Sequence, residues 1–208
     1  DLWGHYGIAR ELAALYHLPM KEFPRCDRNV ANTAGFHVTV EDAERCPRMT
    51  GTQIENVCVK PAPYWMQVRI WKTGMRPINA LVDITNYVML ATGQPSHAYD
   101  SDHIAGHIIV RRAKAGETLT LLNGKELPLS TDDLTIADDA GIVGLAGVMG
   151  GAKDSVLPTT NKVILEIANF QAAGVRRTAL RYDNRTEASS RYEKAIDPER
   201  CDQALSLA

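Results

Sequence analysis

Three observations on these 208 residues predict an α+β fold with mixed or antiparallel sheets and packed helices. Helical periodicity appears near both ends and in the middle of the chain. Between Ile108 and Ile136, short β-type runs recur at close intervals, broken by turn dipeptides. Glycines then crowd the stretch from Gly144 to Gly151, where the backbone must turn tightly or let another group come close.

Each element follows from its own pattern. Tyr6 to His17 reads as a helix, with Ile8, Leu12 and Leu15 at i, i+4 and i+7 and Pro19 just beyond. The alternation of Phe36, Val38 and Val40, and then of Ile54, Val57 and Val59, predicts strands. Charged residues from Glu41 to Arg48, with Pro47, predict a connection holding a short helix. Pro63 opens a helix over Tyr64 to Lys72 that stops at Gly74, and a second helix covers Asn79 to Ala91, ending at Gly93. Strands are expected at Ile108–Val110, Thr118–Thr120, Leu127–Leu129 and Leu134–Ile136. Asn123-Gly124 makes Leu121 to Leu127 a hairpin. Val163 to Ile167 reads as a buried strand, Gln171 through Arg181 as a helix, and Pro198 to Ala208 as an amphipathic helix that runs off the end. Residues 1–35 are expected to form a lead-in helix and linker. Residues 36–208 are expected to form the principal domain, two intimately packed α+β subregions truncated at the C-terminus.

Composition narrows the function classes. A formal net charge of −2 excludes a chain that is basic overall, so any nucleic-acid contact must use a local patch. No apolar run approaches a membrane span and no signal peptide opens the chain. Cys26, Cys46, Cys58 and Cys201 form no C-x-x-C pair and read as reduced thiols, which points to the cytoplasm.

The densest chemistry lies between Arg76 and Asp100. Arg76, Asn79, Asp83, Thr85, Asn86, Gln94, His97 and Asp100 sit among Leu81, Val82, Ile84, Val88, Met89 and Leu90. Buried polar groups without partners are costly, so this mixture fits a lined polar pocket, or else a helix with one wet face. Glu166 stands inside Val163, Ile164, Leu165 and Ile167, where a carboxylate needs a strong reason to sit. It can accept from a ligand hydroxyl, act as a base, or pair with Arg76 or Arg177. The glycine segment holds neither G-x-G-x-x-G nor a P-loop; it can bring backbone N–H groups to a ligand or form a sheet corner. His97, Asp100, His103 and His107 resemble a metal array, but no familiar ligand spacing accompanies them and no metal is expected. His97 alone is placed to turn into the pocket. The basic stretch Arg176 to Lys194 is interrupted by Asp183, Glu187 and Glu193, as a solvated, ion-paired helix would be. Neither a cofactor motif nor an activated serine is present.

Five segments in order carry a resemblance: R-P-I-N-A-L-V-D-I-T-N-Y-V-M-L with G-Q-P-S-H-A-Y-D, then G-L-A-G-V-M-G-G, V-I-L-E-I-A-N-F and R-T-E-A-S-S-R-Y-E-K-A-I-D-P. Together they resemble the editing domain of the bacterial phenylalanyl-tRNA synthetase beta subunit, and the opening Y-G-I-A-R-E-L-A-A-L resembles the segment leading into it. The resemblance implies hydrolysis of tyrosine wrongly attached to phenylalanine tRNA. It implies that Glu166 reads the tyrosine hydroxyl, that His97 lines the pocket, and that Ala146 and Gly147 supply backbone contacts. Backbone groups of the Gly147–Gly151 loop, with Gly150 as a substrate-binding candidate, are expected to help orient the water. It also implies that Thr85 and Asn86 bind the amino acid or terminal adenosine. Arg76 would lie near the RNA end, with Thr186 and Ala188 completing the wall. The implied partners are the 3′ end of phenylalanine tRNA and the synthetase alpha subunit. No cofactor is implied for this domain; ATP and magnesium belong to the full synthetase. A non-catalytic scaffold or binding module, and a metal-dependent hydrolase using His97, Asp100 and His103, are the alternatives. The sequence departs from the family pattern at Ala91-Thr92, at Tyr99 (usually Phe), at Asn184 (usually Leu) and at Ala195 (usually Gly).

Overall fold

The computed structural model describes residues 2–24, 36–153 and 155–208. In chain order the elements are α1 (His5–Leu15), β1 (Val38–Val40), β2 (Arg48–Glu55), α2 (Tyr64–Lys72), α3 (Ala80–Thr92), β3 (His97–Asp100), β4 (Ile108–Arg112), β5 (Thr118–Thr120), β6 (Glu126–Pro128), β7 (Leu134–Ala137), β8 (Ile142–Leu145), β9 (Met149–Gly150), β10 (Lys162–Asn169), α4 (Ala172–Arg181), α5 (Glu187–Tyr192) and α6 (Arg200–Leu207). The α+β expectation holds.

The apolar run at Val163 becomes the centre of a three-stranded antiparallel sheet, β2-β10-β3. Buried on both faces, β10 separates two cores by its alternation. Ile164 and Ala168 enter the large core, while Leu165 and Ile167 meet Val88 of α3 and Cys201 and Ala204 of α6. Glu166 shares the parity of Ile164 and Ala168, so it points toward the large core. A five-stranded sheet of order β1-β4-β7-β8-β9 supplies the other side of that core, with β1 and β4 parallel and the rest antiparallel. β5 and β6 form the expected hairpin, whose turn carries Gly124 at φ 81°.

Helix boundaries follow local chemistry. Pro63 caps α2, and the chain leaves it through Gly74 at φ 85°. Asn79 caps α3 by accepting from the Val82 N–H, and Gly93 ends it at φ 78°.

Three expectations need correction. The second early strand is Arg48–Glu55, not a run through Val57 and Val59, because Asn56 turns left-handed at φ 59° and ends it. No helix forms between Glu41 and Arg48: that segment is turns, one closed by Cys46 N–H to the Asp42 carbonyl at 2.9 Å. The stripe on α1 does not face a core, for Ile8, Leu12 and Leu15 are exposed. Instead α1 docks at its start. A Cβ on Gly4 would lie 2.4 Å from the Gly93 nitrogen, and His5 Nδ1 lies 2.8 Å from the Leu90 carbonyl. Cys46, Cys58 and Cys201 are unpaired thiols, whereas Cys26 lies outside the described residues.

Candidate functional site

Where the two sheets meet α3 and α5, a cavity of about 230 Å³ opens. Register explains its polar floor. In the β3–β10 pairing His97 lies opposite Glu166, and cross-strand partners share a face. Tyr99, two residues along, points the same way. The Tyr99 hydroxyl donates to Glu166 Oε2 at 2.6 Å, and the His97 and Tyr99 rings pack edge-to-face at 4.5 Å. Glu166 is 7 % exposed, and burial lifts its carboxyl to about 7 against the opposing pull of the Tyr99 bond. The partner of Glu166 is therefore a tyrosine. Arg177 lies near Asp132 instead, at 4.0 Å, and Arg76 is exposed.

His97 turns into the cavity, as its position after Gln94-Pro95 suggested. Burial holds its imidazole down at about 4, so it is neutral at pH 7, and its Nε2 is buried without a hydrogen-bond partner. The ring lies against Gly150, where a Cβ would come 2.6 Å from Nε2 and Cε1.

The glycine segment folds into the β8–β9 hairpin. Val148 N–H bonds the Leu145 carbonyl at 3.0 Å, and Gly147 sits at φ 71°. There a Cβ would come 2.8 Å from Val175. Among the described residues the Gly147 N–H donates to no backbone carbonyl. Thr186, the N-cap of α5, donates its hydroxyl to the Val148 carbonyl at 2.8 Å and so ties the hairpin to that helix.

Thr85, Asn86, His97, Ala146, Gly147, Gly150, Glu166, Thr186 and Ala188 all line this one cavity. Arg76 does not, although its neighbour Met75 does. Both readings of the Arg76–Asp100 segment hold in part. Asn79 caps α3, Asp83 accepts from the Ile78 N–H at 2.8 Å, and Thr92 donates to the Val88 carbonyl at 2.7 Å. Thr85 donates to the Val82 carbonyl at 2.7 Å while still reaching the cavity.

The array His97, Asp100, His103 and His107 disperses. Asp100 accepts from Thr160 at 2.5 Å, and His107 pairs with Asp139 at 3.0 Å. Among the described residues no three His, Cys, Asp or Glu side chains are grouped to hold a metal. The basic stretch is ion-paired as expected: Arg191 meets Glu187 at 2.6 Å and Arg185 meets Glu193 at 2.5 Å. Sequence reading missed Tyr99 as the donor to Glu166, although its i+2 spacing from His97 was a signal. It also missed buried Tyr192, whose hydroxyl bonds the Ala168 carbonyl and the Gln94 amide. No helix among the described residues is long and apolar enough to cross a membrane.

Residues 45–208 match the B3/4 domain family. The phenylalanine–tRNA ligase beta subunit of Solibacter usitatus is 45% identical over the whole chain, which covers 27% of that protein. Its counterpart in Streptomyces avermitilis is 45% identical over 92% of the chain and 24% of the protein, and that of Latilactobacillus sakei 40% over 100% and 26%. The chain thus spans about a quarter of the length of these relatives. A solved N-terminal fragment of the phenylalanyl-tRNA synthetase beta subunit from Pyrococcus horikoshii matches at TM-score 0.48 and 16% identity, covering 88% of this chain and 58% of that one. With most of its length matched, the chain belongs to the B3/4 domain family, in the form carried by phenylalanine–tRNA ligase beta subunits.

Proposed function

We propose that this domain hydrolyses the ester of tyrosine wrongly joined to phenylalanine tRNA. The observation that carries the reading is the accessible oxygen of a buried carboxylate. Glu166 Oε2 accepts the hydrogen bond of the Tyr99 hydroxyl, Oε1 has no hydrogen-bond partner among the described residues, and Glu166 lines the cavity. A site built to bond a substrate hydroxyl rejects the analogue lacking it by roughly 10⁴-fold or more. A pocket shaped for phenylalanine excludes an added hydroxyl by only about 10²-fold, so a second site of this kind is needed.

Apolar and small groups, among them Ala146, Met149 and Phe170, line the same cavity as Glu166 and suit an aromatic ring. An aminoacyl ester is already activated, so a held water and donors aimed at the developing oxyanion are enough. The Gly147 N–H is such a donor. Thr85 and Asn86 on α3 are placed to hold the amino acid or the terminal adenosine, whose ribose hydroxyl helps orient the water. His97 fixes the ring beside Glu166. Arg76, outside the cavity, meets the RNA end. Thr186 and Ala188 close the wall, and Gly150 makes room for His97. The RNA 3′ end is the partner this reading requires. In the whole synthetase the alpha subunit joins it, and ATP and magnesium act there in aminoacylation. This domain itself needs neither.

The test is deacylation of tyrosine-charged phenylalanine tRNA by this chain, beside the correctly charged tRNA and Glu166→Ala. Selective release of tyrosine that chelator does not affect and the variant lacks is expected. Equal release of both amino acids would refute the reading; binding without release would make the domain a scaffold.

A further inference from the structure

We propose that Tyr99 is a positioning residue for substrate selection: by holding Glu166 Oε2 it fixes the carboxylate so that Oε1 alone faces the cavity. The inference rests on the function proposed above and adds a residue that it did not need. A carboxylate on a free side chain rotates and offers either oxygen. Here the phenol of Tyr99, 2 % exposed and locked by the His97 ring at 4.5 Å, removes that freedom. Gly144 makes space for it, since a Cβ there would sit 3.3 Å from the Tyr99 oxygen. The arrangement also offers the pocket a built-in version of its own ligand. A tyrosine hydroxyl already satisfies one oxygen, so an incoming tyrosine meets a half-satisfied acceptor already oriented, and a phenylalanine leaves the other oxygen unpaired.

Other titratable groups lie around the Glu166 site. His97 is on the adjacent strand, Tyr192 and Glu187 are on α5, and Cys46 precedes β2. None of the four hydrogen-bonds the carboxylate; among the described residues only Tyr99 does. Removing the Tyr99 hydroxyl therefore raises the Glu166 titration point, because the lost bond favoured the ionised form.

Tyr99→Phe, and separately Gly144→Ala, which crowds the hydroxyl without deleting it, test the inference. Two readouts are used: deacylation of tyrosyl- and phenylalanyl-tRNA by the full chain, and the carbon-13 carboxyl titration of Glu166. We expect KM for the tyrosyl substrate to rise about tenfold, the worth of one hydrogen bond to a charged group, with kcat within about threefold. Glu166 should titrate higher in Tyr99→Phe. If the parent releases tyrosine selectively while both variants keep its KM, its preference and its Glu166 titration, the inference fails and the proposed function stands. If the parent shows no preference for tyrosine, both fail together.

Discussion

Glu166 and His97 face each other across one strand pair, and burial acts on them with opposite sign. Raised from 4.5 to about 7, Glu166 makes the folded state bind more protons than the unfolded chain over that interval. Its contribution to stability is present below 4.5 and is lost as pH rises through 7. Lowered from 6.5 to about 4, His97 does the reverse: its contribution is present above 6.5 and is lost as pH falls toward 4. Between about 4.5 and 6.5 the two slopes oppose, and the pair is nearly silent. Single variants unmask each half. Glu166→Gln should gain stability over the parent as pH rises from 4.5 to 7, by about 3 kcal/mol at the top. His97→Asn should gain over the parent as pH falls from 6.5 to 4, to a similar extent. Urea unfolding at several pH values reads both, and a difference that does not change with pH for either variant would show that its burial cost is absent.

At the scale of elements, the glycine hairpin is held in place by a helix too short to stand alone. α5 has six residues, and its N-cap Thr186 makes a reciprocal capping box with Ser189 while also donating to Val148. Thr186→Ala removes the cap and the tether together, so a loss of about 1–2 kcal/mol is expected, with faster amide exchange at Val148. Thr186→Ser should restore both. Unchanged exchange in the alanine variant would mean that the hairpin holds itself. The legibility of the sequence divides at this same scale. α2 and α3 were readable because Pro63, Gly74, Asn79 and Gly93 act on their own neighbours. The end of β2 was not, since it depended on one left-handed Asn56. Glu166 was conspicuous as a charge among apolar residues, and nine of the ten expected site residues reach the cavity. The Tyr99 bond stayed hidden because it depends on the β3–β10 register, a long-range pairing that local pattern does not encode. Likewise α1 had a sound helical stripe, but the stripe says nothing about what covers it.

Across the whole molecule, the two sheets share one core and the site sits at their junction, so an edge that does not itself line the cavity matters to it. The family match starts at residue 45, yet β1 lies upstream and pairs with β4, Val38 opposite Ile108. Phe36 and Val38 also close over Gly51 of β2, where a Cβ would meet the Phe36 ring at 2.9 Å. β1 therefore links the five-stranded sheet to the three-stranded sheet that carries Glu166. Asp42 adds to the link by holding Arg112 of β4 at 2.7 Å. By contrast, the contacts of α1 and the residues before it with the rest include the His5 bond to Leu90, the close packing of Gly4 on Gly93, the Arg191 Nε–H bond to the Trp3 carbonyl at 3.2 Å and the Arg191 and Lys194 cations over Trp3. Two truncations separate these contributions. Residues 36–208 should unfold cooperatively, with a melting temperature within about 4 °C of the full chain, for a loss near 1 kcal/mol. Residues 45–208 give up the apolar contacts of Phe36, Val38 and Val40 and the parallel ladder as well. Burial of such side chains is worth about 1.5–3 kcal/mol each when complete, and these are partly buried. A further drop of about 6–12 °C is expected, with loss of whatever tyrosine release the longer piece shows. Equal melting of the two pieces would place the folding boundary at the family match and make β1 a passenger on the sheet.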